Sequence, residues 1–95
     1  MADPVTDPIT DNADAKRFEL SVDHHTVFAD YSLDGKTLHI HYVEAPPALR
    51  GTGAAGRLMT AIAELARAND WRIVPICGYA AAWLRRHREY HTLLT

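Results

Sequence analysis

The period of the apolar residues changes at Pro46-Pro47. Before this point, apolar and polar side chains alternate in three segments, which is the pattern of strands with one buried face. After it, apolar residues recur at helical spacing, as at Leu58, Ile62 and Leu65. A chain with this order is constrained to place several strands before its first long helix.

Turn residues divide the alternating region into three strands. The first strand begins at Phe18, and a turn at Asp23-His24-His25 leads to the second, over residues 27–33. Asp34-Gly35 supplies the positive backbone angles of a tight hairpin turn. The third strand then runs through residues 38–43, and all three strands are predicted to be antiparallel.

The second half of the chain predicts one more strand between two helices. The first helix covers about four turns and ends near Asn69, a residue that tolerates the left-handed cap conformation. The solid apolar run from Trp71 to Cys77 predicts a buried strand parallel to the third one, reached by a right-handed crossover. A last helix is predicted from Tyr79 to Arg88. The fold class is therefore α+β, in layers.

Composition limits the chain to one domain and a few classes of partner. Its 95 residues are 47% hydrophobic, which suffices for one core. Residues 1–15 contain four Asp and no Lys or Arg, and they predict a flexible acidic tail before a domain at 16–95. The pI near 6.3 argues against a nucleic-acid partner. With no signal-peptide or membrane-spanning stretch, we expect a cytoplasmic protein with no membrane partner.

Small residues fill the segment between the third strand and the long helix. It reads Arg50-Gly51-Thr52-Gly53-Ala54-Ala55-Gly56. Small side chains let a phosphate approach the backbone, where the free amides and positive dipole of a helix start stabilise its charge. Arg50 would add a charge-assisted contact. A flexible turn that allows close helix-sheet packing is the alternative explanation of the same residues.

Three segments in order resemble one protein family. Arg50-x-x-Gly53-x-Ala55 is similar to the pyrophosphate-binding motif of the GCN5-related N-acetyltransferases. Together with Pro75-Ile-Cys77-x-Tyr79 and Arg86-His-Arg-Glu-Tyr90, it resembles a short single-domain subfamily with a Pro-x-Cys-x-Tyr motif. The resemblance implies a GNAT-like fold over residues 17–91 and acetyl-CoA (coenzyme A) as the bound molecule. Cofactor contacts are then expected from Arg50, Gly51, Thr52, Gly53, Ala54 and Ala55.

Pro75 lies inside the run predicted to form the fourth strand. Proline cannot donate to a sheet ladder, so a central strand that contains it loses a backbone pair there. The resemblance implies a splayed pair of strands that admits the pantetheine arm of the coenzyme, and Pro75 is a natural place for the opening. Alternatively, Pro75 marks the end of the strand.

Three side chains are candidates for acetyl transfer. Cys77 precedes a helix start, where the dipole favours thiolate, and the resemblance implies that it accepts acetyl in a two-step route; a small buried hydrophobe is the alternative role. Glu44 ends the third strand and is a candidate base, or simply a solvated carboxylate. Tyr79 is a candidate proton donor to the departing thiolate, or a packing residue.

The remaining candidates carry less specific signals. Four arginines are candidates to contact coenzyme phosphates: Arg57, Arg85, Arg86 and Arg88. The alternative is a solvent-exposed basic helix end that the helix dipole stabilises. His39 and His41 share a strand face, but with no further ligand at the required spacing we expect no metal. Members of the subfamily that this chain resembles often have His at the position of Tyr42. Any role of that histidine therefore does not carry over to this chain.

The sequence supports two functions. One is a small N-acetyltransferase-like protein that binds acetyl-CoA and transfers acetyl to an amine acceptor, with a protein lysine as one candidate. The other is a non-catalytic acyl-CoA-binding or protein-interaction module. An exposed edge strand is compatible with a monomer or a weak homodimer.

Overall fold

The computed structural model describes residues 8–94. Five strands and two α-helices follow one another as β1 (Thr10–Asn12), β2 (Arg17–Val22), β3 (His25–Asp34), β4 (Thr37–Glu44), α1 (Ala54–Ala68), β5 (Arg72–Pro75) and α2 (Gly78–Arg86). Two short 3-10 helices, Pro47–Leu49 and Arg88–Leu93, precede α1 and follow α2.

The strands form one mixed sheet in the order β1-β2-β3-β4-β5. The first four are antiparallel, and β5 lies parallel to β4, with Leu38 opposite Ile73 and Ile40 opposite Pro75. The α+β architecture and the parallel pair predicted from the sequence are confirmed. The parallel arrangement follows from the crossover through α1, which returns the chain to the end of the sheet at which β4 begins.

The predicted tail and the structure differ at residues 10–15. Thr10–Asn12 forms β1, which pairs with β2, and residues 13–16 make the turn between them. Tyr31 stabilises this addition, because its hydroxyl donates a 2.5 Å hydrogen bond to the Asp11 carboxylate. The first seven residues of the predicted tail lie outside the described residues.

One face of the sheet carries the hydrophobic core. Alternate residues of β2 and β3 lie opposite each other in register, and they pack with the apolar stripe of α1 and with Trp83 and Leu84 of α2. The fully buried core residues include Phe18, Val27, Leu58 and Ile62. Burying such a side chain contributes about 1.5–3 kcal/mol, so α1 is held by its contacts with β2 and β3 more than by helix propensity.

Element ends differ from the predicted ones by a few residues. The strand predicted to reach Cys77 ends at Pro75, and the last helix covers Gly78–Arg86 before a 3-10 turn replaces it. After α1, the left-handed residue is Asp70 at φ 57°, whereas Asn69 has φ −103°. The part of the chain described here contains no helix with the length and apolarity that crossing a bilayer requires.

Candidate functional site

A cavity of about 350 Å³ lies where the end of β4, the small-residue loop and the start of α1 meet. The first turn of α2 closes one side of it through Tyr79. The lining includes three groups predicted to act together: the strand-end carboxylate Glu44, Arg50, and the loop glycines Gly51 and Gly53. The fold therefore brings the predicted anion-binding loop and one candidate base to the same cavity.

The parallel pair of strands separates beside this cavity. Pairing between β4 and β5 stops at Ile40 and Pro75, so residues 41–44 of β4 extend past the end of β5. The backbone N–H groups of Ile76 and Cys77 both donate to the Ile40 oxygen, at 3.0 and 3.1 Å, as the chain turns away into α2. Pro75 thus ends its strand and also lies at the point where the strands diverge.

The loop leaves some of its amides free and uses others. Thr52 N–H donates to the Leu49 oxygen at 3.2 Å, and Ala54 N–H donates to the Thr52 hydroxyl at 3.3 Å. Within residues 8–94, no protein acceptor faces the N–H groups of Gly51, Gly53 and Ala55. The N–H groups of Gly51, Gly53 and Ala55 are therefore available to an anion, whereas those of Arg50, Thr52 and Ala54 are bonded within the protein and hold the loop in shape.

Gly53 caps α1 from the left-handed region, at φ 85°. The space beside it is open, because a Cβ built there would have no atom within 4 Å. Glycine is thus required by the backbone conformation, and its missing side chain also leaves the helix start accessible. Gly56 has a different environment: a Cβ there would lie 3.4 Å from Nε1 of Trp83, which is ordinary contact.

Arg50 is held at the rim of the cavity by the end of β4. Its Nε donates to the Ala45 oxygen at 3.1 Å, and one terminal nitrogen lies 3.7 Å from Oε2 of Glu44. The side chain is 63% exposed. An exposed pair of this length contributes little to stability, so the guanidinium is free to exchange Glu44 for another anion.

Glu44 also accepts a hydrogen bond from its own strand. The Tyr42 hydroxyl donates to Oε1 at 2.6 Å. This bond, followed by the charge of Glu44, raises the pKa of Tyr42, and a Cys77 thiolate would raise it further. The Glu44 carboxylate therefore interacts with the Tyr42 phenol through one oxygen and with the Arg50 guanidinium through the other.

Cys77 lies at the N-cap of α2 and is partly buried. Its backbone oxygen accepts from Ala81 N–H at 3.0 Å, but its side chain makes no capping hydrogen bond. A Cys77 thiolate would raise the pKa of both Tyr42 and Tyr79.

Tyr79 is exposed over 39% of its surface, and the burial of the remainder is the largest reason why the pKa of its phenol is raised. Arg86 acts in the opposite direction, and the charge of Cys77 adds to the increase. Because the neutral form is favoured, the phenol remains a hydrogen-bond donor throughout the neutral pH range.

A comparison with protein-family models matches residues 17–93 to GCN5-related N-acetyl-transferase. The chain belongs to the GCN5-related N-acetyltransferase family. The match starts with β2 and ends within the last 3-10 helix, so it includes the whole cavity described above. A comparison with curated proteins found no match. The subfamily indicated by Pro75-x-Cys77-x-Tyr79 remains a prediction.

In this member of the GCN5-related N-acetyltransferase family, several of the other candidates do not line the cavity. Arg85 is exposed in the last turn of α2, and Arg88 is exposed at the start of the 3-10 helix that follows it. His41 contacts Ser32, with Nε2 2.9 Å from the hydroxyl oxygen. The described residues include no group of three His, Cys, Asp or Glu side chains arranged to hold a metal ion.

Two features of the site, the bulge in β4 and the Tyr42–Glu44 hydrogen bond, have little or no signal in the sequence. The β3–β4 register moves from Asp30–Tyr42 to Tyr31–Ile40, which leaves His41 as a bulged residue. Tyr42 and Glu44 share a face because they are two residues apart, and the bulge places that face opposite the core face that carries Ile40. Their spacing of two in one strand was the available signal, but the bulge that sets their face has no mark in the sequence.

Proposed function

We propose that this protein is a small N-acetyltransferase that moves acetyl from acetyl-CoA to an amine acceptor. The observation that supports this most is the meeting of free amides at the start of α1 with the unpaired end of β4 in one cavity. Members of this family generally use acetyl-CoA as cosubstrate. Residues 50–55 would hold the pyrophosphate, with Arg50 moving from Glu44 onto it.

The extended coenzyme arm would lie in the opening beyond Pro75. Residues 41–44 of β4 present backbone groups there that β5 does not pair. An arm that contains amide groups can take the place of a neighbouring strand at such an edge. This arrangement directs the thioester towards Cys77 and Glu44.

Cys77 would accept the acetyl group first. As thiolate, its Sγ attacks the thioester carbonyl carbon, the bond from that carbon to the coenzyme sulfur breaks, and the acetyl group passes to Sγ. The acceptor amine then attacks the acetyl carbon, its proton passes to Glu44, and Cys77 leaves as thiolate. The coenzyme sulfur takes a proton from solvent and Glu44 returns its proton to solvent, so the sum is one thioester and one amine converted to one thiol and one amide.

Tyr79 would serve this reaction as a hydrogen-bond donor more than as a proton donor. Its pKa is raised by burial, whereas an ordinary thiol has a pKa of about 8.5. Transfer of its proton to a departing thiolate would therefore be uphill. A donated hydrogen bond stabilises the developing negative charge without requiring that transfer.

Two measurements separate this function from a non-catalytic acyl-CoA-binding module. Coenzyme A at about a hundred times its dissociation constant should stabilise the fold by about 2.7 kcal/mol, seen as a thermal shift. Intact mass after incubation with acetyl-CoA should show one added acetyl group, absent in Cys77→Ala. Stabilisation with neither acetylation nor acetylated amine would favour the module, and no thermal shift would exclude both functions. The cytoplasmic location remains a prediction.

A further inference from the structure

The sheet face opposite the core carries two rows of side chains across β2, β3 and β4. Register places them side by side, and none of them is buried. We call this surface the open face, and it consists of Glu19, Phe28 and Glu44 in one row and Arg17, Asp30 and Tyr42 in the other.

The open face is continuous with the cavity. Glu44 ends one row and also lines the cavity. Tyr42, beside it in the other row, is 49% exposed and donates a 2.6 Å hydrogen bond to Glu44. A molecule that lies on the open face therefore reaches the reacting groups from the side of the sheet that α1 does not cover.

The Phe28 ring already contacts a cationic side chain on this surface. The Arg17 guanidinium carbon lies 3.9 Å from the centre of the Phe28 ring, and Nε of Arg17 is 3.3 Å from Asp30. An aromatic ring beside carboxylates is a favourable environment for alkylammonium and guanidinium groups. The surface is thus built for positively charged side chains, one of which the chain supplies itself.

Glu19 is the carboxylate left without a cation. Arg17 is paired with Asp30, and Arg50 lies 3.7 Å from Glu44. The Glu19 carboxylate accepts a 3.3 Å hydrogen bond from the Asn12 amide, and in the described part of the chain no basic group lies within ion-pair distance. The open face therefore has an uncompensated negative charge next to Phe28.

We propose that the open face docks a basic peptide, whose lysine reaches Glu44 and whose second cationic side chain rests between Phe28 and Glu19. This rests on the proposed function, which supplies the reaction at the lysine. Glu19 and Glu44 are two strand spacings apart, or about 10 Å. An extended peptide covers that distance in about three residues, so the second cation belongs two or three positions from the lysine.

Direct binding tests this without turnover. The probes are a fluorescent peptide with one lysine followed by arginines two and three positions later, and its companion with glutamates at those positions. Anisotropy titrations should show that the companion binds at least about tenfold more weakly. Glu19→Lys should weaken binding of the basic peptide about fivefold, since it turns an exposed attraction into a repulsion, and the effect should shrink at high salt.

Glu89→Lys is the matched control, because Glu89 is an exposed carboxylate in the 3-10 helix that contacts α1 on the covered side. It should bind the basic peptide as the wild type does. Equal binding of the two peptides, or equal weakening by Glu19→Lys and Glu89→Lys, would overturn the docking proposal. Coenzyme A should stabilise Glu19→Lys and the wild type equally; absence of that shift in the wild type would refute the proposed function instead.

Discussion

The Tyr42 hydroxyl donates a 2.6 Å hydrogen bond to Oε1 of Glu44, two residues further along β4. This bond and the charge of Glu44 are the two largest reasons why the pKa of Tyr42 is raised. Glu44→Gln keeps an acceptor but removes the charge, so the pKa of Tyr42 should fall towards its ordinary value of about 10. Ultraviolet titration, with Tyr42→Phe to assign the signal, measures it. Glu19→Gln is the control, and an unchanged Tyr42 titration in Glu44→Gln would contradict the bond.

Gly53 should contribute both to the stability of the fold and to coenzyme A binding, and matched variants at Gly53 and Gly35 can separate the two effects. Gly53→Ala and Gly35→Ala both place a side chain at positive φ, 85° and 61° respectively, with no atom within 4 Å. Each should lower the free energy of unfolding by about 1–2 kcal/mol, measured by denaturant titration. Gly53→Val should also weaken coenzyme A binding, since its side chain stands in front of the free amides, whereas Gly35→Val should not. Equal coenzyme affinity in both valine variants would contradict the anion-binding role of the loop.

Cys77→Ser should stabilise the protein while removing its thiol. The Cys77 side chain makes no capping hydrogen bond at the start of α2. A serine hydroxyl at this N-cap can accept from a free N–H of the first turn, which contributes about 0.5–1 kcal/mol. The variant should melt at the same or a higher temperature, bind coenzyme A, and show no stable acetyl adduct in intact mass. An adduct that persists in Cys77→Ser would place the acetyl group elsewhere.

Stability at high pH should depend on Tyr31. Burial, and then its hydrogen bond to Asp11, raise the pKa of this phenol to about 12. The folded state thus holds the proton more tightly than the unfolded chain, whose tyrosine pKa is about 10. The stabilisation is complete below about pH 10 and is lost as the pH rises towards about 12. Over this pH range, the free energy of unfolding, measured by denaturant titration, should fall less steeply for Tyr31→Phe than for the wild type. An equal dependence on pH in the two proteins would contradict this contribution.

The main strands and helices and their order could be predicted from local properties of the sequence. The switch of apolar period at Pro46-Pro47 separated β2, β3 and β4 from α1, because each period matches the geometry of only one regular structure. The small-residue segment was placed correctly at the start of α1, since glycine at positive φ is a property of the residue itself. The family resemblance, carried by the motifs at Arg50–Ala55 and Pro75–Tyr79, was confirmed at the level of the family.

The contacts that define the site depend on residues distant in sequence. β1 pairs with β2 and is bonded through Asp11 to Tyr31, twenty residues away, and contacts of this kind leave no periodic pattern in a segment of three residues. The bulge at His41 arises from the fit of β4 to β3, and it decides that Tyr42 and Glu44 lie on the sheet face opposite Ile40.

The sequence by itself determined the period of each element, the conformational freedom of Gly53 and the family. The tertiary structure alone decided which loop amides are free, where Arg50 lies, and that β4 extends past the end of β5. The reason is physical: propensity and period act over a few neighbouring residues, whereas hydrogen-bond occupancy and strand register are set when distant segments compete for the same partners.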